Sequence, residues 1–343
     1  MPASHDFVQF LDQLRDLAQP LATKDLYRFS DLNKADLAAL EAAWPEMPLE
    51  RRRSLMQDLG EISEANFEVQ FDAVYRLGLE DADAGVRAAA VANLWESEEP
   101  ALIVPFLDLM QHDADEAVRA AAASALGRFV YLGEVDDLPK PQARRIEDAL
   151  LSVINGPDSL AVRRRALEAV SFSGRPEVAD LIGRAYASPQ RPERISALFA
   201  MGRSADDRWN EPVLRELESG DPELRYEAAR AAGELELADA VPALKAMIDD
   251  GEVQVREAAI WSLGQIGGDQ ARQILLDLLQ DADDAERDFI DDALENLTLH
   301  DESLEFPLLD MTDDEIDALL AEDEDEDDEL DPGDPLPPGQ RLN

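Results

Sequence analysis

Side chains suited to catalysis are few in this sequence. It contains no cysteine, and its three histidines, His5, His112 and His300, are each followed by an aspartate. Thiolate nucleophiles, disulfides and cysteine-ligated metals are therefore excluded. A Gly-x-Ser-x-Gly motif, a glycine-rich phosphate loop and an EF-hand loop are also absent from the sequence. We therefore predict no catalytic residues, no metal site and no cofactor, and expect that the chain is not an enzyme.

The most regular polar feature is an arginine that recurs along the chain, with a step of 31 residues from Arg163 onward. A fixed period of this size predicts a stack of similar units. The arginines are Arg87, Arg119, Arg163, Arg194, Arg225, Arg256 and Arg287. Each falls in the first turn of a predicted helix, where the helix dipole disfavours a cation, so an acid must compensate it. Acids four positions earlier suit this role: Asp83, Asp115, Asp221, Glu252 and Asp283. We predict a ladder of arginine–carboxylate contacts between adjacent units that sets their register.

A candidate binding surface emerges where equivalent positions differ between units. One and five residues after the arginine, which is one helix face, the side chains vary. The central units place there Arg164, Phe199, Tyr226, Arg230 and Trp261. Aromatic residues beside arginines are the usual composition of interface hot spots. Residues 160–230 also contain 12 arginines and 12 acids, so the centre is neutral in an acidic chain. We predict that these five residues contact a partner and are at least partly exposed.

The elements that must position these residues are paired helices. Each unit has a short apolar helix followed by an alanine-rich helix that begins near the arginine, and a glycine falls eight residues after several of the arginines. The arginines predict about eight hairpins over residues 47–300. Gly133, Pro139 and Pro141 predict a long loop over about 130–143. Residues 1–46 contain two amphipathic patterns, which predict a helical cap for the first unit.

Residues 301–343 differ from the rest in composition. They contain 18 acids and one base, with eight consecutive acids at 322–329. Such a segment buries too little apolar surface to offset its chain entropy, which predicts a disordered tail. The sequence Thr312-Asp-Asp-Glu315 resembles a capping box and predicts a short helix over 313–321. The acidic tail is also expected to contact the arginine-rich centre of the same chain.

The repeated pattern Asp-x-x-Val-Arg-x-x-Ala-x-x-x-Leu-Gly after a leucine-rich helix resembles the HEAT repeat. Its step is most similar to the short HEAT-like repeats of phycobilisome lyases. The resemblance covers roughly residues 47–298 and implies an all-α fold, an α-α superhelix. Deoxyhypusine hydroxylases share such repeats and hold two irons through His-Glu dipeptides, which this sequence lacks. Because the His-Glu dipeptides are missing, we expect no di-iron site.

The net charge of the chain limits the kinds of partner that it can bind. The net charge of −46 disfavours nucleic acid and anionic membranes and favours a neutral or basic protein. The N-terminus shows no signal-peptide pattern, and we expect a cytoplasmic location. The sequence favours a non-catalytic scaffold that binds a protein on the concave face of the solenoid. A phycobilin-lyase-like enzyme or lyase subunit, and an acidic chaperone for a basic protein, remain the alternatives.

Overall fold

The protein is helical throughout the part of the chain that the structure describes. This computed structural model describes residues 4–18, 21–66, 68–282 and 284–305. Helices α1–α9 are His5–Leu14, Thr23–Leu26, Lys34–Ala43, Leu49–Ala65, Asp72–Gly78, Ala84–Asn93, Ile103–His112, Glu116–Glu134 and Lys140–Ile154. Helices α10–α18 are Leu160–Val170, Pro176–Tyr186, Arg191–Arg203, Asn210–Glu216, Pro222–Glu234, Val241–Met247, Val253–Ile266, Gly268–Asp281 and Asp284–Glu305. These ranges contain no β-strand, and the predicted all-α class is confirmed.

The helices are arranged as consecutive pairs. From α5/α6 to α17/α18 each first helix packs against the second helix that follows it, which gives seven pairs, and α4 packs against α6 as the second helix of a further unit. One hydrophobic core runs through all of them. The predicted solenoid of helical hairpins is confirmed.

The N-terminal helices contribute residues to the same hydrophobic core. The side chain of Ser4 caps α1 by accepting a hydrogen bond from the backbone nitrogen of Phe7 at 3.1 Å. One face of α1 is buried, and Phe7 and Phe10 pack against Phe29 with ring centroids 6.3 and 5.4 Å apart. Helix α1 also packs against α3, so the apolar pattern near the N-terminus is used in contacts with the next helices.

The second helices of the pairs stack closely on one another, and glycine permits this. A Cβ atom on Gly264 would lie 2.6 Å from the carbonyl oxygen of Ala293 on the next second helix. A Cβ atom on Gly202 would lie 2.9 Å from the Cα atom of Ala231. Gly127 and Gly233 meet the following second helix in the same way. The glycines eight residues after the arginine are thus contact points between units. We call the layer formed by helices α8, α10, α12, α14, α16 and α18 the inner layer.

The loop predicted over about 130–143 is not present. Helix α8 continues to Glu134 and α9 begins at Lys140, so only a short connection separates them. Gly133 lies inside α8. A Cβ atom there would be 2.5 Å from the Cβ atom of Ala143, so close packing against α9 requires glycine at this position. Pro141 lies in the first turn of α9, where a missing N–H costs no helical hydrogen bond. Both residues were interpreted as helix breakers, yet they serve close packing and helix initiation.

Arginine–carboxylate contacts join successive units. The guanidinium of Arg87 donates from Nε and NH2 to the Asp113 carboxylate, at 2.7 and 2.8 Å. Its third nitrogen donates to the backbone oxygen of Asp81 at 2.8 Å, in the turn of its own unit. Arg225 repeats this geometry with Asp250 and with the backbone oxygen of Ser219. Each such arginine therefore joins its own turn to the turn of the next unit. We call this pair of hydrogen bonds, from Nε and NH2 to the two oxygens of one carboxylate, the fork. The fork also connects Arg52 to Asp81 and Arg119 to Asp158.

The predicted acids occupy a different place from the one expected. Asp115 accepts hydrogen bonds from the backbone at the start of its own helix and pairs with none of the repeated arginines. Asp83 and Asp221 also cap their helices, and they pair with Arg53 and Arg191. Glu252 makes no side-chain capping bond. The carboxylates that receive Arg87 and Arg225 lie two residues before the capping residue, in the turn that faces the preceding unit.

The remaining predicted arginines behave individually. Arg194 pairs with Glu216 at 3.1 Å, and Arg256 donates to the backbone oxygen of Asp250 at 2.8 Å. The Nε atom of Arg163 is buried without a hydrogen-bond partner. Arg287 is exposed, and Asp283 lies outside the described residues.

Helix α18 passes the boundary that the sequence suggested. It extends to Glu305, so the residues at 301–305, predicted to belong to a disordered tail, are helical. The predicted short helix over 313–321 and the rest of the tail lie outside the described residues. Among the residues with assigned structure, no helix has the length and apolar character needed to cross a bilayer.

Candidate functional site

A continuous row of stacked aromatic and arginine side chains crosses the inner layer from α8 to α16. We call it the inner row, and its members are Tyr131, Phe172, Phe199, Arg203, Arg230 and Trp261. Except for the more exposed Tyr131, all of them are half-buried. They come from successive second helices or, for Phe172, from the residues just after one. The row therefore runs along the stack rather than within a single unit.

Ring and guanidinium contacts define the geometry of the inner row. Tyr131 and Phe172 meet edge to face with centroids 5.5 Å apart. The guanidinium carbon of Arg203 lies 5.4 Å from the centroids of both Phe172 and Phe199. Arg230 lies over Trp261 at 4.0 Å, well within the range of a cation–π contact. These contacts orient the arginines and leave about a third of each arginine side chain exposed.

Glu234 joins the two arginines of the inner row. Its Oε1 atom lies 3.2 Å from Arg203 and 3.6 Å from Arg230. Burial raises the pKa of the Glu234 carboxyl, and the charges of Arg203 and Arg230 offset part of that effect. Each guanidinium is thus fixed by a ring on one side and by a carboxylate on another. Such a surface is rigid, which lowers the entropic cost of binding a partner.

A second polar group lies beside the row on α10 and α12. The buried Glu168 pairs with Arg165 at 2.6 Å and accepts a hydrogen bond from the hydroxyl of Ser196. That hydroxyl accepts a hydrogen bond from Nε of Arg164 at 2.7 Å. Ser196 therefore connects Arg164 to Glu168, and Arg164 is directed toward α12 rather than toward the rings.

Glu227 on α14 lies between these two polar groups. It is half-buried, and within the described ranges no side chain forms a hydrogen bond or ion pair with its carboxylate. Burial and the nearby charges of Glu168 and Glu234 raise its pKa to about 7, while Arg230 and Arg165 act in the opposite direction. A carboxyl group with this pKa can donate or accept a proton near neutrality. Arginines surround these glutamates. Because the arginines pair with the carboxylates and repel other cations, the glutamates are poor ligands for a metal cation.

Replacing Glu227 with glutamine should stabilise the protein at pH 8 more than at pH 5. The folded-state pKa is about 7, above the unfolded value of about 4.3. The folded state therefore binds the proton more tightly, and stability falls as pH rises between these values and then stays constant. We expect Glu227→Gln to add about 1–2 kcal/mol at pH 8 and little at pH 5, measured by chemical unfolding. Glu257, exposed on α16, provides the control: Glu257→Gln should show no such pH dependence. Parallel pH profiles for Glu227→Gln and the parent would contradict the assignment.

The structure brings together only some of the predicted binding residues. Arg230 and Trp261 are in contact, and Phe199 belongs to the same row through Arg203. Tyr226 is half-buried and packs against the hydrophobic core, and Arg164 bonds to Ser196. The sequence comparison missed Phe172, Arg203 and Glu234. They lie nine residues after the repeated arginine, one helical turn beyond the position that was compared, so extending that comparison by four residues would have found them.

Comparison with known proteins bears on the family. A family model for HEAT repeats matches residues 76–143 and 210–295. The chain contains HEAT repeats. Tyr131, Arg230 and Trp261 of the inner row lie within the matched segments, and its other members lie between them. The HEAT-repeat prediction is confirmed.

One curated protein is similar in sequence to part of this HEAT-repeat chain. It is the bilin biosynthesis protein PecE of Nostoc sp., 45% identical over 76 residues. The match covers 22% of this chain and 28% of the relative, so the chain spans little more than a quarter of the relative's length. The expected resemblance to phycobilisome-lyase repeats is confirmed at this level. The match also contradicts the prediction that the chain is not an enzyme, since the relative is a biosynthesis protein, and we withdraw that prediction.

Solved structures with similar arrangements include two helical-repeat proteins. The complex of CpcE and CpcF of phycocyanin lyase from Nostoc sp. has 18% identity, with a TM-score of 0.44. It covers 66% of this chain and 94% of that one. Human deoxyhypusine hydroxylase has 19% identity and a TM-score of 0.33, covering 85% of this chain and 97% of that one. Neither similarity bears on the activity of this chain.

Proposed function

We propose that this HEAT-repeat chain recognises a protein partner through the inner row. The observation that supports this most directly is the row of aromatic rings and arginines that runs across successive units, in which each arginine lies over a ring and Glu234 joins the two arginines. Tyrosine, tryptophan and arginine dominate interface hot spots because they combine apolar area with hydrogen-bonding groups. Four of the six residues of the row lie within residues 160–230, which are neutral overall in a chain with net charge −46. The acidic flanks attract basic partners, and the neutral centre does not repel a neutral one.

Replacing Trp261 with alanine should reduce partner binding at least tenfold while leaving the fold intact. The change removes the ring under Arg230 and frees that guanidinium. Loss of a hot-spot aromatic weakens binding by about 2 kcal/mol or more. The measurement is quantitative affinity capture from the native host with mass spectrometry, followed by titration of the captured protein. Trp95 is the control, since it is 61% exposed and lies between α6 and α7, away from the row. Equal loss of the same protein with Trp95→Ala would contradict the assignment of the row.

Bilin binding is a second candidate function, and the sequence match to a bilin biosynthesis protein favours it. On this proposal the chain binds a bilin alone or together with a protein partner, acting as a lyase or a lyase subunit. The test adds a bilin to the purified chain and records its visible absorption spectrum. A spectral shift that saturates with added protein supports bilin binding. An unchanged spectrum, with and without the partner captured above, rejects it.

The acidic C-terminal segment is a candidate internal competitor for the inner row. By sequence, residues 301–343 carry 18 acids and one base, opposite in sign to the arginines of the row. A segment tethered to its own binding surface has an effective concentration on the order of millimolar. A chain that ends at Glu305 keeps all of α18 and removes most of the acids. Tighter partner binding by this shortened chain at low salt, but not at high salt, supports competition. Capture of basic proteins in general, abolished by salt, would instead support an acidic chaperone.

A further inference from the structure

At two junctions between units a serine, Ser188 or Ser219, lies where other junctions have an aspartate. At the Ser219 junction Arg194 pairs with Glu216 instead, so the junction at Ser188 is the one considered below. The turn residue that receives the preceding arginine is Asp81, Asp113 or Asp250 at three junctions. At the junction after Arg163 the equivalent residue is Ser188. Its hydroxyl accepts a hydrogen bond from the backbone nitrogen of Gln190 at 3.1 Å, as Asp113 does from Asp115 at 2.8 Å. The serine therefore preserves the turn but supplies no negative charge.

Arg163 is consequently left without its usual acceptor. Its Nε atom is buried and has no hydrogen-bond partner. By contrast, Nε of Arg87, Arg119 and Arg225 each donates to an aspartate at 2.7–3.1 Å. A buried donor without a partner destabilises the folded state relative to one that is hydrogen-bonded. The cost is removed if a carboxylate from outside the chain takes the vacant place.

A cleft with room for such a group lies against Arg163. Its volume is about 340 Å³, and its polar lining consists of Asn155, Arg163, Arg164, Arg184 and Glu193. Three arginines face one glutamate, and the Glu193 carboxylate accepts a hydrogen bond from the Ser188 hydroxyl. Arg164 donates Nε to Ser196, and Arg184 donates to Asn155 at 3.4 Å. The cleft thus has an excess of positive charge.

The preceding junction provides an internal comparison. A cleft of about 510 Å³ lies there against Arg119, but Asp113 and Asp158 are both in its lining. Asp158 receives the Arg119 fork at 2.9 and 3.1 Å. The positive charge of Arg119, which would attract an anion, is already neutralised by Asp158 at that junction. At the Arg163 junction an open cleft and an unsatisfied arginine Nε atom coincide.

We propose that the cleft beside Arg163 binds a carboxylate group from another molecule, in the place that an aspartate occupies at the equivalent junctions. The planar guanidinium matches a carboxylate through two parallel hydrogen bonds. Arg184, on the rim, supplies further positive charge, and the buried Leu167 and Leu181 form the apolar wall. The ligand is therefore a carboxylate joined to a short apolar chain, as in an aspartate or glutamate side chain or a small organic acid. This site is separate from the inner row and does not depend on the function proposed for it.

Restoring the missing aspartate provides the test. In Ser188→Asp the new carboxylate should pair with Arg163 and occupy the cleft. We expect glutarate to raise the melting temperature of the parent relative to sodium chloride of equal ionic strength. We expect Ser188→Asp to have a higher melting temperature than the parent and to show no response to glutarate. Calorimetric titration should show glutarate binding weakened at least about tenfold. Ser219→Asp is the matched control, because it lies at the equivalent turn where Arg194 already pairs with Glu216. It should respond to glutarate like the parent.

Further variants and ligands separate the remaining outcomes. Ser188→Asn has a similar size and no charge, so it should keep the response to glutarate. Arg163→Lys replaces the planar guanidinium, which can form two parallel hydrogen bonds, with an ammonium group. It should weaken glutarate binding without introducing a carboxylate. A peptide with one aspartate, compared with its asparagine form, distinguishes a protein ligand from a free organic acid. The proposal is overturned if glutarate does not stabilise the parent, if Ser188→Asp and Ser219→Asp respond alike, or if inorganic phosphate stabilises as much as glutarate.

Discussion

Replacing Gly264 with alanine is expected to destabilise the solenoid by about 2–3 kcal/mol. The added Cβ atom would lie 2.6 Å from the carbonyl oxygen of Ala293 and 3.0 Å from its Cα atom. Both are backbone atoms, so no side-chain rotation relieves the contact and α18 must move away from α16. Alanine gains about 1 kcal/mol in helix propensity over glycine, and the steric cost exceeds that gain. Chemical unfolding followed by circular dichroism measures the difference.

Gly251 is the matched control for this substitution. It lies in the turn before α16, and a Cβ atom there would meet nothing within 4 Å. Gly251→Ala should change the free energy of unfolding by no more than about 0.5 kcal/mol, as surface substitutions do. If Gly264→Ala were as stable as Gly251→Ala, the close stacking of the second helices would be wrong.

Packing between units could be predicted from sequence because it repeats. The same residue type returns at the same offset, and the glycine eight residues after the arginine marks where successive second helices approach. Gly133 does not follow this rule, since it contacts Ala143 on the next first helix. A glycine that packs once looks identical in sequence to one that ends a helix. For this reason the loop over about 130–143 was predicted where the structure has helix.

Contacts across units were harder to predict, because sequence distance does not determine which carboxylate faces an arginine. Asp83 and Asp115 are well placed to cap their own helices, and that local role uses their oxygens. Asp113 lies two residues before the capping residue Asp115 and faces the previous unit, where it receives Arg87. The sequence showed a recurring arginine in need of an acid, and only the three-dimensional stack shows which acid is used. The same limit applies to the inner row, whose arginines and rings come from different units.

Replacing Arg225 with methionine is expected to cost about 2–3 kcal/mol of stability. The substitution keeps the apolar stem and removes both bonds to Asp250, at 2.8 and 2.9 Å, and the bond to the backbone oxygen of Ser219. The Asp250 side chain is 11% exposed, so it would lose its cation in a site that water reaches poorly. Hydrogen bonding from Arg225 lowers the pKa of Asp250, so this contribution is present at neutral pH and is lost as pH falls through the folded-state pKa.

Arg163→Met separates this ladder effect from the general loss of an arginine. Arg163 has the same position in its unit, but its Nε atom has no acceptor. Its replacement should therefore cost less than half as much as Arg225→Met, and the difference between the two variants should shrink as pH falls through the lowered folded-state pKa of Asp250. Urea unfolding of both variants over a series of pH values from pH 7 downward provides the measurement. Equal losses at pH 7 would show that the carboxylate fork does not stabilise the junction between units.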